Sequence, residues 1–299
     1  MSSSIWHPRT TDTRLRRLCA GRPVVITGAG SGMGRALALR LSRCGVTLAL
    51  TDLDTRSVED TAHHCVSRGA AIVVHRLDVA DEAAVRAYAD AMVERHGAPS
   101  MVFNNAVTTM VAGVLDEDTD YARRIMDVNW SGVMYGTNAF RDHLENGGGG
   151  RIVNTSSAFG LFGSPMQPSY CASKFAVRGF SEGVQAELRV ADSPVRLHIV
   201  YPGAVHTAIA RDARYPVGDI RDEVVNGFDH RLPGTRPAAA ATAILAGVLA
   251  GRDRIMVGLD ARAIDLATRA GAGAIQRPIA TVIGPVVRPV LTRRHRRAR

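Results

Sequence analysis

Tyr170 and Lys174 stand four residues apart in the stretch YCASK, and Lys174 is the only lysine in the chain. Lys and Arg together number 37, so every other member of that pair is arginine. On a helix, positions i and i+4 share a face. The segment PSYCASKFAVRGFSEGVQAEL predicts such a helix, starting near Pro168. A phenol with a pKa near 10 is a poor base at neutral pH. An ammonium ~6 Å away, at an effective dielectric of ~20, is worth ~2.8 kcal/mol, about two pKa units, and brings a tyrosinate within reach. A guanidinium carries the same charge, but its planar fork is not a compact point charge and does not exchange a proton. The pair therefore reads as an acid/base centre, with a plain surface Tyr/Lys pair as the alternative.

A second cluster sits near the N-terminus. The apolar run PVVIT leads into TGAGSGMG, with glycines at 28, 30, 32 and 34 directly before a helical stretch. Backbone of this kind can approach a pyrophosphate closely, and a helix N-terminus favours the anion. The spacing is TGxxxGxG on Gly28, Gly32 and Gly34; the commoner GxGxxG fails because Met33 occupies its last position. A tight turn without a ligand would use the same glycines. Asp52 follows the second apolar run, where a carboxylate can accept both ribose hydroxyls of an adenosine. It would repel a 2′-phosphate, which favours NAD over NADP. An exposed strand-end charge is the alternative. Asp78, closing the third run in LDV, is spaced to reach an adenine edge.

These residues need a scaffold. Seven short runs read as buried strands: 23–27, 46–50, 71–77, 101–105, 151–156, 195–200 and 254–258. They are nearly continuous in apolar residues, as expected when both sheet faces are covered. Helical stretches alternate with them at 33–43, 55–68, 81–96, 117–145, 168–191 and 237–250. Asp54 or Thr55 can cap one helix and Asp81 another, which Gly97-Ala98-Pro99 then stops. The tetraglycine at 147–150 connects a helix to a strand. The pattern predicts an α/β fold: a doubly wound, Rossmann-like parallel sheet of about seven strands flanked by helices, in one domain. That domain spans 21–258, behind an N-terminal extension at 1–20. Residues 206–236, with Pro216, Gly218, Gly227, Pro233 and Gly234, read as a long polar loop and a substrate lid. Residues 259–299 read as a basic tail punctuated by Pro278, Pro285 and Pro289.

Hydrophobic content of 46% and charged content of 22% are ordinary for a soluble protein. MSSSIWHPRT has no apolar stretch behind a basic start, so no secretory leader is expected. No run of 18 apolar residues suggests a spanning helix. Cys19, Cys44, Cys65 and Cys171 lack metal-ligand spacing and suit reduced thiols in a cytoplasm. The net charge of +9 falls to about +4 without the terminal RRHRRAR, so no nucleic-acid partner is expected. The tail suits docking on a partner subunit or contact with an anionic membrane surface.

Taken in order, TGAGSGMG, LDV, NNA, VNWSGV, NTSS, YCASK and YPGAVHT make the chain resemble a short-chain dehydrogenase/reductase over about residues 20–258. The resemblance implies a tetrad. Tyr170 is the general acid/base, and Lys174 binds the nicotinamide ribose and lowers the tyrosine pKa. Ser157, the second of the serine pair, bonds the substrate oxygen, and Asn129 holds a water in a proton relay. Pro202 and Gly203 would wrap the nicotinamide, with Val205 and Thr207 at its carboxamide. Asn104, Asn105 and Ala106 would lie beside the adenosine ribose, and Ser31, Met33 and Val79 complete the cofactor contacts. The pattern departs at Val107, where the family usually has glycine.

The implied enzyme passes a hydride between NAD(H) and a secondary alcohol or ketone, binds no metal, and forms a homodimer or homotetramer. An apolar substrate is suggested by Phe159, Leu161, Phe162 and Met166, which could equally fill a core. The alternatives are an NADPH-dependent reductase of an acyl or other carbonyl substrate, a non-catalytic cofactor-sensing regulator, and a basic surface binder.

Overall fold

The computed structural model describes residues 8–216, 220–230, 234–271 and 281. All seven apolar runs form strands: β1 (Val24–Thr27), β2 (Leu48–Asp52), β3 (Ile72–Arg76), β4 (Met101–Asn104), β5 (Gly150–Thr155), β6 (Val195–Pro202) and β7 (Arg254–Val257). They make one parallel sheet in the order β3-β2-β1-β4-β5-β6-β7. β1 and β4 are buried at every position, which is why their sequences are unbroken apolar runs. The chain turns outward in both directions from β1 and β4. That reversal opens a crevice at the carboxyl ends of the strands.

Between the strands lie α2 (Gly32–Leu41), α3 (Thr55–Val66), α4 (Glu82–His96), α5 (Thr119–Met126), α6 (Gly132–Asn146), α7 (Pro168–Val190) and α9 (Pro237–Leu249). Asp54 caps α3 by accepting from Arg56 N at 3.0 Å, and Asp81 caps α4 by accepting from Ala84 N at 2.9 Å. Each sheet face buries its own core. One face gathers Leu37, Leu41, Ile244 and Leu245 from α2 and α9, and the other Val85, Phe140, Leu144 and Leu188 from α4, α6 and α7.

The helix expected over 117–145 is two helices, α5 and α6, joined by a π-helical turn at Asp127–Ser131. The wider turn carries Asn129 inward to full burial. Three further helices lie in segments read without helical structure. α1 (Pro8–Cys19), within the N-terminal extension, adds Leu15 and Cys19 to the first core. α8 (Arg221–His230) interrupts the expected polar loop; its RDEVVNGFDH offers few apolar positions and an internal glycine, so its periodicity is weak. α10 (Leu259–Ala270) packs on β7 through Asp265, which pairs with Arg254 at 2.7 Å.

The three prolines of the tail and the RRHRRAR run lie outside the described residues. No helix among the described residues is long and apolar enough to cross a membrane. All four cysteines are buried and unpaired.

Candidate active site

A cleft of about 610 Å³ opens at the carboxyl ends of β1, β2 and β4. Gly28, Ser31, Gly32 and Met33 form its floor, Asp52, Asp78 and Val79 one side, and Asn105, Ala106, Val107 and Thr207 lie further along. α2 starts against it with no acidic residue in its first turn and no side-chain cap from Ser31, so its free N–H groups suit an anion. Gly34 is set back from the wall. A Cβ there would collide with the Gly28 carbonyl and come within 2.7 Å of Asn105 Nδ2, so only glycine lets the loop fold this tightly.

Asp52 is fixed at the cleft by two backbone donors, Gly30 N to Oδ2 at 2.9 Å and Asp54 N to Oδ1 at 3.1 Å. Carboxylate oxygens held this way keep lone pairs for further donors. Asp78 lines the cleft but is engaged. Arg124 of α5 bonds both oxygens, at 3.0 and 2.8 Å, and Ala80 N donates to Oδ1 at 3.0 Å. Partial burial works against the charge on Asp78, yet these donors outweigh it and hold its carboxyl below the usual range. Asn105 braces the loop through Nδ2 to Thr27 O at 3.1 Å. Asn104, expected beside a ribose, instead points into the core. Its Nδ2 donates to Asn154 Oδ1 at 2.8 Å and Thr137 Oγ1 at 3.2 Å, because alternation along β4 turns it toward α6. Val107 has no left-handed backbone, so the branched side chain in place of glycine introduces no strain there.

Asn129, Ser157, Tyr170 and Lys174 converge from the π-turn, the end of β5 and α7. They are not on the cleft wall but buried next to it, with Val128 and Thr108 on the wall beside Asn129. Lys174 is 1% exposed. Its Nζ donates to Thr155 O at 3.0 Å and sits 5.7 Å from the Tyr170 ring centroid. Ser157 Oγ accepts from Phe159 N at 3.1 Å. Three bonds hold the Asn129 side chain: Oδ1 accepts from Thr108 N at 2.9 Å, and Nδ2 donates to Thr108 O and Ser173 Oγ, both at 3.0 Å. Its amide thus ties the loop after β4 to α7.

The expected lowering of the tyrosine pKa is absent in the isolated chain. Burial pushes Tyr170 up to about 12, with the Ser157 hydroxyl working against it, and pulls Lys174 down to about 7. Removing both groups from water disfavours both charges. The ammonium faces the ring and the Thr155 carbonyl, which also weakens its hold on the phenolate.

One residue that sequence spacing does not reveal holds α7. Glu117 accepts from Ser169 N at 3.2 Å and from Ser169 Oγ at 2.7 Å, capping the helix one residue before Tyr170, where Gln167 makes no side-chain cap bond. Phe159 stands edge-on to Tyr170 at 6.2 Å and to Phe162 at 5.3 Å. Of the suggested pocket residues, Leu161 belongs to the second core. Met166 packs with Val111, Ile220 and Val224. Pro202, Gly203 and Val205 sit at the end of β6 off the cleft wall; Thr207 lines it. Among the described residues, no group of three or more His, Cys, Asp or Glu could hold a metal.

A parallel sheet with its crevice at the β1/β4 reversal, a glycine-floored cleft and a buried Tyr–Lys pair define a nucleotide-dependent oxidoreductase of the Rossmann type. The chain belongs to the short-chain dehydrogenase/reductase family: the family model described as short chain dehydrogenase matches residues 22–217. It is 44% identical over 260 residues to the putative oxidoreductase SadH of Mycobacterium tuberculosis, covering 87% of this chain and 94% of that one. It is 31% identical over 245 residues to 3beta-hydroxysteroid dehydrogenase 2 of Eggerthella lenta, covering 81% and 94%. A crystal structure of a short chain dehydrogenase/reductase from Burkholderia phymatum in complex with NAD superposes with a TM-score of 0.77 at 28% identity, over 86% of this chain and 95% of that one. The chain is thus an NAD(P)-dependent oxidoreductase acting on alcohols or ketones.

Proposed function

We propose that the protein interconverts an apolar secondary alcohol and its ketone with NAD(H) as redox partner, using Tyr170, Lys174, Ser157 and Asn129. The observation that carries this is the sole lysine of the chain, buried against the Tyr170 ring and beside a cleft of dinucleotide size. The cleft fits such a cofactor: the α2 N-terminus and the Gly34 cradle suit its phosphates, and Asp52 suits an unphosphorylated ribose, favouring NAD. Gly28, Ser31, Gly32, Met33, Asp78, Val79, Asn105, Ala106, Pro202, Gly203, Val205 and Thr207 complete the proposed contacts. Bound there, an oxidised nicotinamide dinucleotide supplies the two-electron acceptor and a positive charge near the phenol.

In the oxidation direction, Tyr170 first passes its phenolic proton toward Lys174; its Oη then takes the proton of the substrate hydroxyl, while the hydride would go to the bound dinucleotide. Ser157 Oγ accepts from Phe159 N and its hydroxyl bonds Tyr170, so a substrate oxygen placed between the two would receive that O–H in exchange. Lys174 has one N–H on Thr155 O, leaving the others for a ribose hydroxyl and for proton exchange. Asn129 and Glu117 keep α7 in place, so the phenol meets the substrate without reorganising. Residues 206–236 serve as a substrate lid in this reading, which the bridges Met110–Arg214 and Val205–Thr235 support. Exposed Phe175, Leu259 and Leu266 support a homodimer or homotetramer. Buried unpaired thiols suit a cytoplasmic setting.

A panel of secondary alcohols and ketones, assayed with NAD and with NADP, tests the reading. On the best substrate, Tyr170→Phe should cut turnover by about 10²–10⁴ while NADH binding and thermal stability persist. A Tyr170→Phe enzyme with normal turnover would refute the assignment.

A further inference from the structure

The loop leaving β6 is held from beyond β7. Asp260, in the first turn of α10, accepts from Ala204 N through Oδ2 at 2.6 Å. Its carboxylate stands directly on the Cα atoms of Gly203 and Gly258. A Cβ at either glycine would collide with it, and Gly258 also has a φ of 99°. The neighbouring backbone completes the clamp: Gly203 N donates to Val257 O at 2.9 Å, Thr235 N to Ala204 O at 2.8 Å, and His206 N to Thr235 O at 3.0 Å. The far end of this segment closes on the glycine loop, where a Cβ at Gly32 would lie 3.1 Å from Thr207 Cγ2. Asp260 thus sits at the root of a short segment whose tip forms part of the cleft wall.

We infer that Asp260 is a positioning residue for the cofactor site: its carboxylate fixes the backbone of residues 203–207 and so sets the affinity for the dinucleotide. The inference rests on the proposed role of that segment in holding the cofactor. Without the acceptor, Ala204 N is left part-buried and unpaired, and the contact spaced for a bare Cα on either side of the carboxylate is lost. The segment then keeps its bonds to Val257 and Thr235 but loses the one that sets its height over the cleft. A merely structural role makes a different prediction. α10 is anchored to the sheet independently by Asp265, which pairs with Arg254 at 2.7 Å and with Arg269 at 3.2 Å. Breaking that anchor should loosen the helix without moving residues 203–207.

The test compares full-length variants by NADH titration followed by fluorescence, by thermal unfolding, and by KM for NAD against kcat. Asp260→Ala should weaken NADH binding and raise KM for NAD about tenfold. Asp260→Asn, whose amide oxygen can still accept from Ala204 N, should stay within about threefold. Asp265→Ala should lower the melting temperature at least as much as Asp260→Ala, yet leave NADH affinity within about twofold. Normal NADH binding by Asp260→Ala, or equal weakening by Asp265→Ala, would overturn the inference. If the alanine variant does not fold, Asp260→Glu shifts the carboxylate by one methylene and must still weaken NADH binding; unchanged affinity there overturns it equally. If the wild-type chain binds no nicotinamide dinucleotide, the proposed function falls and this inference with it. A wild type that binds while Asp260 is indifferent removes the inference alone.

Discussion

Replacing Lys174 with methionine should abolish turnover and yet stabilise the fold, by an amount that depends on pH. The side chain is 1% exposed, its described polar bond is to the Thr155 carbonyl, and no carboxylate is among the causes acting on it. Burial lowers its pKa from the ordinary 10.5 to about 7. An unfolded chain holds this proton up to about 10.5, and the folded chain only up to about 7. Above the upper value neither state is charged there and folding carries no penalty. As pH falls between the two, the unfolded state binds more protons, and each pH unit removes about 1.4 kcal/mol of stability. Below about 7 the loss is complete, on the order of 5 kcal/mol. Methionine has a similar unbranched shape and packs well against a ring, while the Thr155 carbonyl loses a donor worth about 1 kcal/mol. The variant should therefore exceed wild type by several kcal/mol at pH 6, with the gap shrinking toward about 1 kcal/mol at pH 9. Urea unfolding of both proteins at pH 6, 7.5 and 9, followed by circular dichroism, reads this directly. A gap independent of pH, or a wild type more stable at pH 6, would refute the account of Lys174 as a buried, unpaired ammonium.

Lys174→Arg should lose both stability and turnover, because a guanidinium stays charged when buried and brings five donors to a place with one described acceptor; normal turnover at unchanged melting temperature would return Lys174 to an ordinary cation. Asp52→Ser should narrow the proposed preference for NAD over NADP by removing repulsion worth roughly 1–3 kcal/mol, read as the ratio of the two kcat/KM values. A wild type that binds NADPH more tightly than NADH would show that Asp52 does not face the ribose.

The sheet was legible because its central strands are buried on both faces and appear as apolar runs with no alternation to misread. β1 and β4 show this best. The glycine loop and Asp52 were legible because close backbone approach and strand-end position leave marks in residue type and spacing. Other parts leave no such mark. α8 has too few apolar positions to show a period, and α10 looks like tail because it follows the last strand and presents exposed Leu259 and Leu266. Glu117 and Asp260 act through bonds across 52 and 56 residues, which local spacing cannot register. Asn104 and Asn105 are adjacent and chemically identical, and only strand alternation decides that one enters the core and the other meets the cleft. Electrostatics were the least legible. A helical i, i+4 spacing gives a separation between Tyr170 and Lys174, but the sign of the net shift depends on how much water surrounds them, and that is a property of the packed site.

That burial changes why the chain keeps a lysine. As a fixed positive charge meant to ionise a phenol, Lys174 would be badly placed, since desolvation opposes its charge and that of Tyr170 together. As one half of a buried pair it is well placed. A neutral amine beside a neutral phenol, and an ammonium beside a phenolate, have the same net charge and the same number of protons. Moving a proton from Tyr170 toward Lys174 therefore costs no net charge burial, whereas ionising either alone would. Arginine cannot take part, because its guanidinium does not give up a proton and would have to be buried as a cation. On this view the two opposed shifts, Tyr170 up to about 12 and Lys174 down to about 7, hold the pair in its neutral form above about pH 7 until a charge arrives in the neighbouring cleft. The redox cofactor proposed for that cleft brings such a charge in its oxidised form only, which would couple the proton state of Tyr170 to the direction in which the reaction runs.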